Sequence, residues 1–412
     1  MKFYKKIVTK IFLISAIIFG CVAVFGGCAV QSCGYKIKSL PNKIIYQIGE
    51  KPNFDGLKIQ AINTNGNYQN LRFDAEDINS VDTSSAGVKK VIVKKGGFEI
   101  SFDIYVANIV ANDSDNLKKI FAEANAGDVV YLRKGNYIPK NAQDTNFADV
   151  EISKPLTIVG DGNTKTNFGG NFIVGAKVQQ GSYQKIDNFD GVKFIGINFL
   201  TNTSTKNNVV QWGNSTYQNG AIRCFDTQNL SVINCNFCGY AFGILGDNAN
   251  GLVVKNCRFK NILKNGIKIS TSTKNSTIVQ NQFLDIATNI VAFDGDEPAR
   301  LCAIYLGFAN AGQCGVAVCK NIFVRIGIAN GNLVYFDDES KNKANAYTSR
   351  LQQMAYLKNS SALVLVSTSL NDLRIDGLIL ASNTYSGCLQ TAYMGKTGKT
   401  TINTAGITFI AG

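Results

Sequence analysis

The sequence predicts an all-β protein in which a small β-sandwich precedes a longer β-solenoid. Residues 36–107 consist of short runs of alternating polar and apolar residues, broken by turn residues and without a helical period. Further along, an apolar strand pattern that ends in Phe recurs, with steps of 22 and 24 residues between Phe237, Phe259 and Phe283. This step suits one turn of a three-sided solenoid. A chain of 412 residues also exceeds what one hydrophobic core usually supports, which favours two domains.

The N-terminus has the organisation of an export signal. A lysine-rich start is followed by an apolar run at 11–25 and by the small residues that precede Cys28. This segment resembles a bacterial lipoprotein signal, which implies that residues 1–28 form the signal and that Cys28 carries the lipid; Cys21 is a second candidate. A plain membrane anchor is the alternative, since the run approaches the length of a spanning helix. Either way, we expect a membrane-anchored, extracellular protein at the cell surface.

The composition favours an anionic partner. The formal net charge is +13, which attracts acidic polysaccharides, anionic cell-wall polymers and phosphate backbones alike. The sequence has no arginine-rich run or nucleic-acid motif, and an exported location disfavours nucleic acid. We therefore expect an acidic polysaccharide or a cell-wall polymer as the partner, and no nucleic acid. Histidine is absent, which excludes serine–histidine hydrolysis and histidine-ligated zinc.

Cysteine is frequent, with 11 residues, but its spacing does not match a zinc site. Seven cysteines lie in strand-like runs, and we interpret them as small apolar core residues: Cys224, Cys235, Cys238, Cys257, Cys302, Cys314 and Cys319. Cys235 and Cys257 occupy equivalent places one rung apart, so the sequence allows either a disulfide between them or a plain column of thiols.

The first module carries an ordered set of motifs. These are Gly-Glu at 49–50, Phe-Asp-Gly-Leu at 54–57, Thr-Ser-Ser-Ala-Gly at 83–87 and Gly-Gly-Phe at 96–98. In this order they resemble a bacterial Ig-like domain of the group 3 type. The resemblance implies a β-sandwich over 36–107 that serves as a spacer or as a carbohydrate- or wall-binding unit, without catalytic residues.

Equivalent positions of successive rungs in the second module carry residues of the same type. The aromatic column is Phe199, Phe237, Phe259, Phe283 and Phe323. Five residues before each of these stands a second apolar column: Phe194, Val232, Val254, Ile278 and Val318. Asn234 and Asn256 fall at the bend one rung apart, so we expect their side-chain amides to form a hydrogen-bonded ladder. Upstream, 117–124 is apolar at helical spacing and suits a short helix that caps the first rung.

The start of this module has motifs of a known superfamily. They are Gly-Asp-Val-Val-Tyr-Leu at 127–132, Gly-Asn-Tyr at 135–137 and Ile-Ser-Lys-Pro-Leu-Thr-Ile-Val-Gly-Asp-Gly at 152–162. They resemble the pectate-lyase-like right-handed parallel β-helix superfamily, with the coil at 113–390 and a C-terminal tail or cap at 391–412. That superfamily includes polysaccharide lyases, glycoside hydrolases, esterases, epimerases and non-enzymatic adhesins, so the resemblance implies the fold and leaves the activity open.

In such coils the strands after the Phe bend commonly form the floor of the substrate groove. Here these strands are 221–226, 242–247, 266–270, 290–294 and 333–337. If the isoleucines of the first three strands point inward, alternation directs Arg223, Leu245 and Lys268 outward in one column. Two cations would then stand about 10 Å apart.

Carboxylates cluster near the ends of these strands and after them. They are Asp226, Asp247, Asp294 and Asp296. Stacked carboxylates repel each other unless a cation lies among them, and hard oxygen ligands suit Ca²⁺. We therefore expect a calcium ion on these residues as a cofactor.

Together these residues suit β-elimination on a uronic acid, which needs a base and positive charge beside the substrate carboxylate. We expect Lys268 to be the base and Arg223 or Arg300 to supply the charge. Trp212 and Tyr217, in the insertion before the Arg223 strand, are candidates for stacking on a sugar ring; covering the edge of the coil is the alternative.

The leading hypothesis is therefore a polysaccharide-active surface protein, most concretely a lyase that cleaves an acidic glycan. The alternative is a non-catalytic adhesin or glycan-binding coil, raised from the membrane by its Ig-like spacer. Its outward Lys, Arg and Asp residues would then form only a solvated face. A third class, a membrane-anchored assembly protein, has no specific feature in its favour.

Overall fold

The computed structural model divides the chain into two compact units, the first ending at Asn108 and the second beginning at Ile109. The residues that the structure describes are 32–139, 146–179, 182–186, 189–201, 203–206, 209–212, 220–262, 264–287, 290–291, 302–308, 312–326, 333–334, 361–367, 375–386, 388, 390–396 and 408–410.

The first unit is a sandwich of two three-stranded sheets. Its strands are β1 (Ser32–Ser39), β2 (Ile45–Gln47), β3 (Lys58–Asn63), β4 (Tyr68–Leu71), β5 (Gly87–Lys95) and β6 (Phe98–Ala107), with a 3₁₀ turn at Ala75–Asp77. One sheet has the antiparallel order β1-β3-β4. In the other sheet, β6 pairs antiparallel with β5 and parallel with β2.

Alternate residues of the facing strands hold this sandwich together. Ile59 of β3, Val91 and Val93 of β5 and Ile104 of β6 are fully buried in one core. The residues between them in β5 are more exposed, which is the alternation that predicts such strands. β1 begins at Ser32, earlier than the boundary at residue 36 that the sequence suggested.

The second unit consists of short strands with a helix near its start. In chain order the elements are β7 (Ile109–Ala111), α1 (Leu117–Glu123), β8 (Val129–Leu132), β9 (Gly135–Tyr137), β10 (Val150–Ile152), β11 (Thr157–Gly160), β12 (Thr166–Phe168), β13 (Phe172–Val174), β14 (Ala176–Gln179), β15 (Ser182–Lys185), β16 (Lys193–Ile195), β17 (Asn198–Leu200), β18 (Thr203–Lys206), β19 (Val209–Trp212), β20 (Ile222–Cys224), β21 (Thr227–Gln228), β22 (Ser231–Ile233), β23 (Asn236–Cys238), β24 (Phe242–Asn250), β25 (Val253–Lys255), β26 (Arg258–Ile262), β27 (Asn265–Lys274), β28 (Thr277–Val279), β29 (Gln282–Ile286), β30 (Ile290–Val291), β31 (Cys302–Phe308), β32 (Gly312–Cys319), β33 (Ile322–Ile326), β34 (Leu333–Val334), β35 (Ser361–Ser367), β36 (Ile375–Ala381), β37 (Thr384–Ser386), β38 (Gln390–Lys396) and β39 (Thr408–Ile410).

Three parallel sheets form the sides of a coil. Sheet A has the order β7-β8-β11-β16-β22-β25-β28-β32-β36-β39, sheet B the order β9-β12-β17-β23-β26-β29-β33-β37, and sheet C the order β10-β13-β20-β24-β27-β31-β35-β38. Each rung adds one strand to sheets A, B and C in turn, as β22, β23 and β24 do, and each strand pairs in parallel with the equivalent strand of the next rung. The second unit is therefore a parallel β-helix, as the sequence predicts.

The predicted aromatic column lies inside the coil. From Phe199 to Phe323 the rings stack nearly parallel, with neighbouring centroids 4.6 to 5.1 Å apart and interplanar angles of 3° to 8°. Tyr385 continues the stack, with its centroid 5.1 Å from that of Phe323. The second predicted column, which includes Phe194 and Val254, is also in the core. These two columns form the centre of the coil.

An asparagine ladder is present, but not at Asn234 and Asn256. Those two residues turn the chain with positive φ angles of 54° and 53°. The ladder runs one position further along the rung, where Asn281 Nδ2 donates to Asn321 Oδ1 (3.0 Å) and Asn321 Nδ2 donates to Asn383 Oδ1 (3.1 Å). All three ladder amides are buried, so these bonds satisfy groups that the core would otherwise leave unpaired.

The helix α1 closes the first rung, as expected. Asn116 caps its N-terminus, because its side chain accepts a hydrogen bond from the backbone N–H of Lys119. Leu117 and Phe121 are buried, and the Phe121 ring meets that of Phe172 edge-on, with centroids 5.7 Å apart. The buried side of the helix thus packs on a core that would otherwise meet water, and its other side faces solvent.

The coil is longer than its predicted limits of 113 and 390. At its start β7 pairs with β8, so that sheet A begins at Ile109. At its end β38 pairs with β35, and β39 pairs with β36. The segment that was expected to be a tail or cap therefore contributes strands to sheets A and C. Within the described part of the chain, no helix has the length and apolar character needed to cross a membrane.

Candidate functional site

The outward column predicted on sheet C is present. Strands β20, β24 and β27 are in register, with Arg223 opposite Leu245 and Leu245 opposite Lys268. The column continues to Tyr305 of β31. The isoleucines that precede these side chains are fully buried inside the coil: Ile222, Ile244, Ile267 and Ile304. Two strand spacings separate Arg223 from Lys268, which places their backbones about 10 Å apart.

Two of the five strands that the sequence assigned to this floor, at 290–294 and 333–337, were assigned wrongly. The strand that follows β27 in sheet C is β31 (Cys302–Phe308), and β35 (Ser361–Ser367) comes next. The short strands β30 and β34 pair with each other in a separate two-stranded sheet. The runs at 290–294 and 333–337 look like floor strands in sequence, because each is a short apolar run that ends in Asp, as the true floor strand at 242–247 is.

A hairpin inserted after β13 covers part of the outer face of sheet C. Its strands β14 and β15 pair antiparallel. Ile173, Ala176 and Phe225 form a small buried core outside the coil, and Val178 and Tyr183 pack against it. The hairpin is therefore fixed to the sheet by apolar packing, which positions the polar side chains of β15.

Glycine is required where this hairpin begins. Gly175 has a φ of 77°, and a Cβ at this position would lie 2.4 Å from the carbonyl oxygen of Phe225. A larger residue would push the hairpin away from the sheet.

Arg223 is held between the hairpin and the sheet. Its Nη1 donates a hydrogen bond of 2.6 Å to the hydroxyl of Tyr183. Its guanidinium carbon lies 4.3 Å from the centroid of the Tyr183 ring and 5.4 Å from that of Phe225, within the range of a cation–π contact. Its Nε is buried and has no hydrogen-bond partner among the described residues. Burial raises the pKa of Tyr183, against the lowering effect of the nearby guanidinium, so the phenol stays protonated at neutral pH.

Lys268 belongs to a second group of amines and rings. Its Nζ lies 5.4 Å from the ring centroid of Phe242 and 5.8 Å from that of Tyr305. Nζ of Lys264 is also 5.4 Å from the Phe242 centroid, and this lysine is only 7% exposed. Two lysine amines near one ring thus place cationic groups beside flat apolar surfaces on this part of the face.

Two of the predicted metal ligands, Asp226 and Asp247, form ion pairs with the same lysine. Nζ of Lys185, on β15, lies 3.1 Å from Oδ2 of Asp226 and 3.3 Å from Oδ2 of Asp247. Asn248 Nδ2 donates to the other oxygen of Asp226. Burial acts to raise the pKa of Asp226, but the bonds from Asn248 and Lys185 outweigh it and lower that pKa below its ordinary value. Burial acts to lower the pKa of Lys185, but the two carboxylates outweigh it and raise that pKa.

The described side chains do not by themselves suit calcium. Asp294 and Asp296, the other two predicted ligands, lie outside the described residues. Among the described residues no cluster of three or more Asp, Glu, His or Cys side chains could hold a metal ion. Calcium takes six to eight oxygen ligands, whereas Asp226 and Asp247 are already bound to an ammonium group. The calcium site stays a prediction.

The structure gives no side-chain contacts for the remaining predicted site residues. Trp212 is the last residue of β19, which pairs antiparallel with β18, and its backbone lies opposite Thr203. Tyr217, Arg300 and Cys28 lie outside the described residues. Their predicted roles, in sugar stacking, charge stabilisation and lipidation, stay predictions.

Sequence reasoning missed the residues that the hairpin brings to the site. Tyr183 and Lys185 are absent from the prediction because nothing in the rung pattern places β15 beside β20. A signal was present: the sequence alternates at 176–178 and again at 182–185, with Gly181 between the two runs. Such a pattern predicts a hairpin, but not the surface on which it packs.

Five of the seven cysteines that were interpreted as core residues are buried: Cys224, Cys235, Cys257, Cys302 and Cys314. The interpretation is wrong for Cys238 and Cys319, which are half-buried because each follows an inward-facing residue of its strand. The described cysteines of the coil are free thiols, and Cys235 and Cys257 form a buried thiol column rather than a disulfide. Complete burial raises the pKa of Cys224 to about 12, so its thiol stays protonated.

The comparisons with known proteins agree with the two-unit organisation. Residues 39–106 match the model of the bacterial Ig-like domain (group 3). No curated protein is significantly similar to the chain in sequence.

Solved structures similar to the chain include three proteins of different activity. One is a mannuronic acid specific polysaccharide family 6 lyase from human gut microbiota, with 12% identity, a TM-score of 0.35, and coverage of 68% of this chain and 59% of that one. Another is the catalytic domain of a GH87 α-1,3-glucanase in complex with nigerose, with 11% identity, a TM-score of 0.35, and coverage of 76% and 62%. A pectin methylesterase in complex with a hexasaccharide has 9% identity, a TM-score of 0.34, and coverage of 70% and 93%.

The chain thus spans less than two thirds of the length of the lyase and the glucanase. Residues 39–106 form a group 3 bacterial Ig-like domain, and the unit that follows it is a parallel β-helix.

Proposed function

We propose that the β-helix binds an acidic polysaccharide along the outer face of sheet C and cleaves it by β-elimination. One observation carries this proposal: Arg223 and Lys268 occupy one outward column, and each lies beside aromatic rings. Cations bind the carboxylates of an acidic glycan, and aromatic rings stack on the faces of its sugars.

In this proposal the two cations have different roles. Arg223 binds the carboxylate of a uronic acid and stabilises the negative charge that develops as the neighbouring carbon loses its proton. Lys268, as the neutral amine, takes that proton. The electron pair of the broken C–H bond forms a C=C bond while the bond to the glycosidic oxygen breaks, and solvent supplies a proton to the leaving oxygen. Arg300 is a second proposed source of charge, and Trp212 and Tyr217 are proposed to stack on sugars.

We also propose where the protein works. The basic, apolar and Gly-Gly-Cys order of residues 1–28 supports export and lipidation at Cys28, and in chain order the Ig-like domain comes between that residue and the coil. The partner would then be an acidic polysaccharide or cell-wall polymer outside the cell. The calcium ion that the aspartates suggested is not part of this proposal.

A non-catalytic glycan-binding protein or adhesin is the second candidate. One observation favours it: Arg223 already donates to Tyr183 and stacks on its ring, so the guanidinium has less freedom to follow a reacting carboxylate. The same cations and rings would then bind the glycan without cleaving it.

The test is to incubate the purified chain with polygalacturonate and with alginate, two polyuronates, and to follow the unsaturated uronate by its absorbance at about 235 nm. We expect a rise that Lys268→Ala abolishes while glycan binding is retained. Binding without any rise supports the second candidate. If the chain neither binds nor cleaves either glycan, both candidate functions are refuted.

A further inference from the structure

We propose that Lys185 is a positioning residue that takes the place of a divalent cation between Asp226 and Asp247, so that glycan binding at sheet C is independent of calcium. This inference rests on the proposed binding of an acidic glycan and deepens it. It assigns the neutralising charge of the site to a side chain of the hairpin.

The hairpin directs Lys185 toward the carboxylates. Residues two apart on a strand face the same side, so Tyr183 and Lys185 both point from β15 toward sheet C. Tyr183 contacts Arg223 and packs on the small core around Phe225, which fixes the position of the strand. The ammonium nitrogen of Lys185 consequently lies 3.1 Å from Oδ2 of Asp226 and 3.3 Å from Oδ2 of Asp247.

The position of this ammonium is the one that a bridging cation would need. It is nearly equidistant from one carboxylate oxygen of each aspartate. A calcium ion bound by the same two oxygens would lie within 2.3–2.6 Å of each, which leaves no room for the lysine. Metal and lysine therefore exclude each other here.

Neutralisation matters because the aspartates belong to the face that is proposed to bind the glycan. Asp226 lies on the same rung as Arg223, just beyond the end of β20, and Asp247 is on the adjacent strand β24. Without Lys185, two uncompensated carboxylates would repel a polyanion that approaches Arg223. With it, the negative charge of the two carboxylates is reduced, while the apolar packing of the hairpin keeps Tyr183 against the guanidinium.

The experiment compares binding of a short oligogalacturonate, which calcium does not cross-link as it does polygalacturonate, by the full chain with EDTA and with about 5 mM Ca²⁺, a concentration that saturates weak protein sites. We expect the wild type to bind with the same affinity, within about twofold, in both conditions. Lys185→Met should bind about tenfold more weakly in EDTA and regain most of that loss in calcium. Lys185→Arg should keep its affinity in EDTA, because it keeps the charge.

Lys177→Met is the matched control. Lys177 is an exposed residue of the same hairpin, on the opposite face of β14, so this change removes one charge without touching the aspartates. It should bind as the wild type does. If Lys185→Met binds like Lys177→Met, the inference is wrong, and it is equally wrong if the wild type loses its affinity in EDTA.

Two further measurements distinguish a failure of the inference from a misfolded variant and from a failure of the proposed function. The triple change Lys185→Met, Asp226→Asn, Asp247→Asn should restore binding in EDTA, which a misfolded hairpin would not allow. Calorimetric titration with Ca²⁺ alone should show a site in Lys185→Met that the wild type and Lys177→Met lack. If no variant binds glycan, the proposed function fails, while the calorimetric comparison still decides the role of Lys185.

Discussion

The guanidinium of Arg223 donates a 2.6 Å hydrogen bond to the hydroxyl of Tyr183, a residue 40 positions earlier in the chain. The same guanidinium stacks on the Tyr183 ring. Tyr183→Phe removes the hydroxyl and keeps the ring, so we expect polyuronate affinity to stay within about threefold. Tyr183→Ala removes the stacking surface that orients the guanidinium, and we expect about tenfold weaker binding. Titration calorimetry distinguishes the two; equal losses would mean that the hydrogen bond, not the ring, orients Arg223.

The ion pair of Lys185 with the aspartates predicts how the hairpin responds to pH. The pKa of Lys185 is raised above 10.5, so its contribution to stability is complete below pH 10.5 and is lost as pH rises through the raised pKa. The pKa of Asp226 is lowered below 3.8, so its contribution is complete above pH 3.8 and is lost as pH falls through the lowered pKa.

The measurement for this prediction is the difference in melting temperature between the wild type and Lys185→Met. We expect the difference to stay constant from about pH 5 to about pH 9 and to shrink on further acidification. A difference that changes steadily across the neutral range would show that the pair does not stay ionised there. The chain has no histidine that would titrate in this range.

The buried asparagine ladder should contribute strongly to stability. Asn321 Oδ1 accepts hydrogen bonds from Nδ2 and the backbone N–H of Asn281, and its own Nδ2 donates to the backbone carbonyl of Ile278. Asn321→Ala leaves these buried groups unpaired, which should lower the free energy of unfolding by about 3 to 5 kcal/mol.

A second ladder on the outer face of sheet B supplies the control for that change. Asn198 Nδ2 donates to Asn167 Oδ1 (2.6 Å), and both side chains are only half-buried. Asn198→Ala should therefore lower the free energy of unfolding by about 1 kcal/mol or less. Denaturant unfolding measures both variants, and similar losses would contradict the assignment of the inner ladder to the core.

The aromatic stack gives a prediction for packing. The ring of Phe259 lies between those of Phe237 and Phe283, with centroids 4.6 and 4.8 Å away, and is fully buried. Phe259→Ala should lower the free energy of unfolding by about 3 to 5 kcal/mol. Ile322→Ala, at a 40% exposed position of β33 in the same sheet, should cost less than about 1 kcal/mol. A small effect of Phe259→Ala in denaturant unfolding would mean that the stack relaxes around the gap.

Periodicity determined how much of this structure could be predicted. The Phe column and the inward isoleucines recur in every rung, at steps of 22 to 24 residues where no loop is inserted, and the outward positions of Arg223 and Lys268 follow from them. The ladder prediction missed by one position, because an asparagine at the bend suits both a positive φ and a stacked amide, and sequence does not distinguish the two uses.

The contacts of the site were less predictable, because they come from insertions. Tyr183 and Lys185 reach their partners through the packing of a hairpin on the sheet, which depends on tertiary contacts such as those of Phe225. The floor strand Cys302–Phe308 was missed because the insertion before it contains Ile290 and Val291, an apolar pair that imitates a rung. A repeat pattern does not say which of two apolar runs continues the sheet.

The one-dimensional pairing of the coil also determines how it should respond to a mechanical load. In the described part of the coil, the strands of sheets A, B and C pair with strands of the adjacent rungs. Tension along the axis of the coil therefore acts across the hydrogen bonds between rungs, one rung after another, as in a zipper. Rungs that have a neighbour on one side alone should open first, while the central rungs around the Phe237–Phe259 stack should hold longest. A coil of this kind would lengthen in small steps under force rather than unfold in one event.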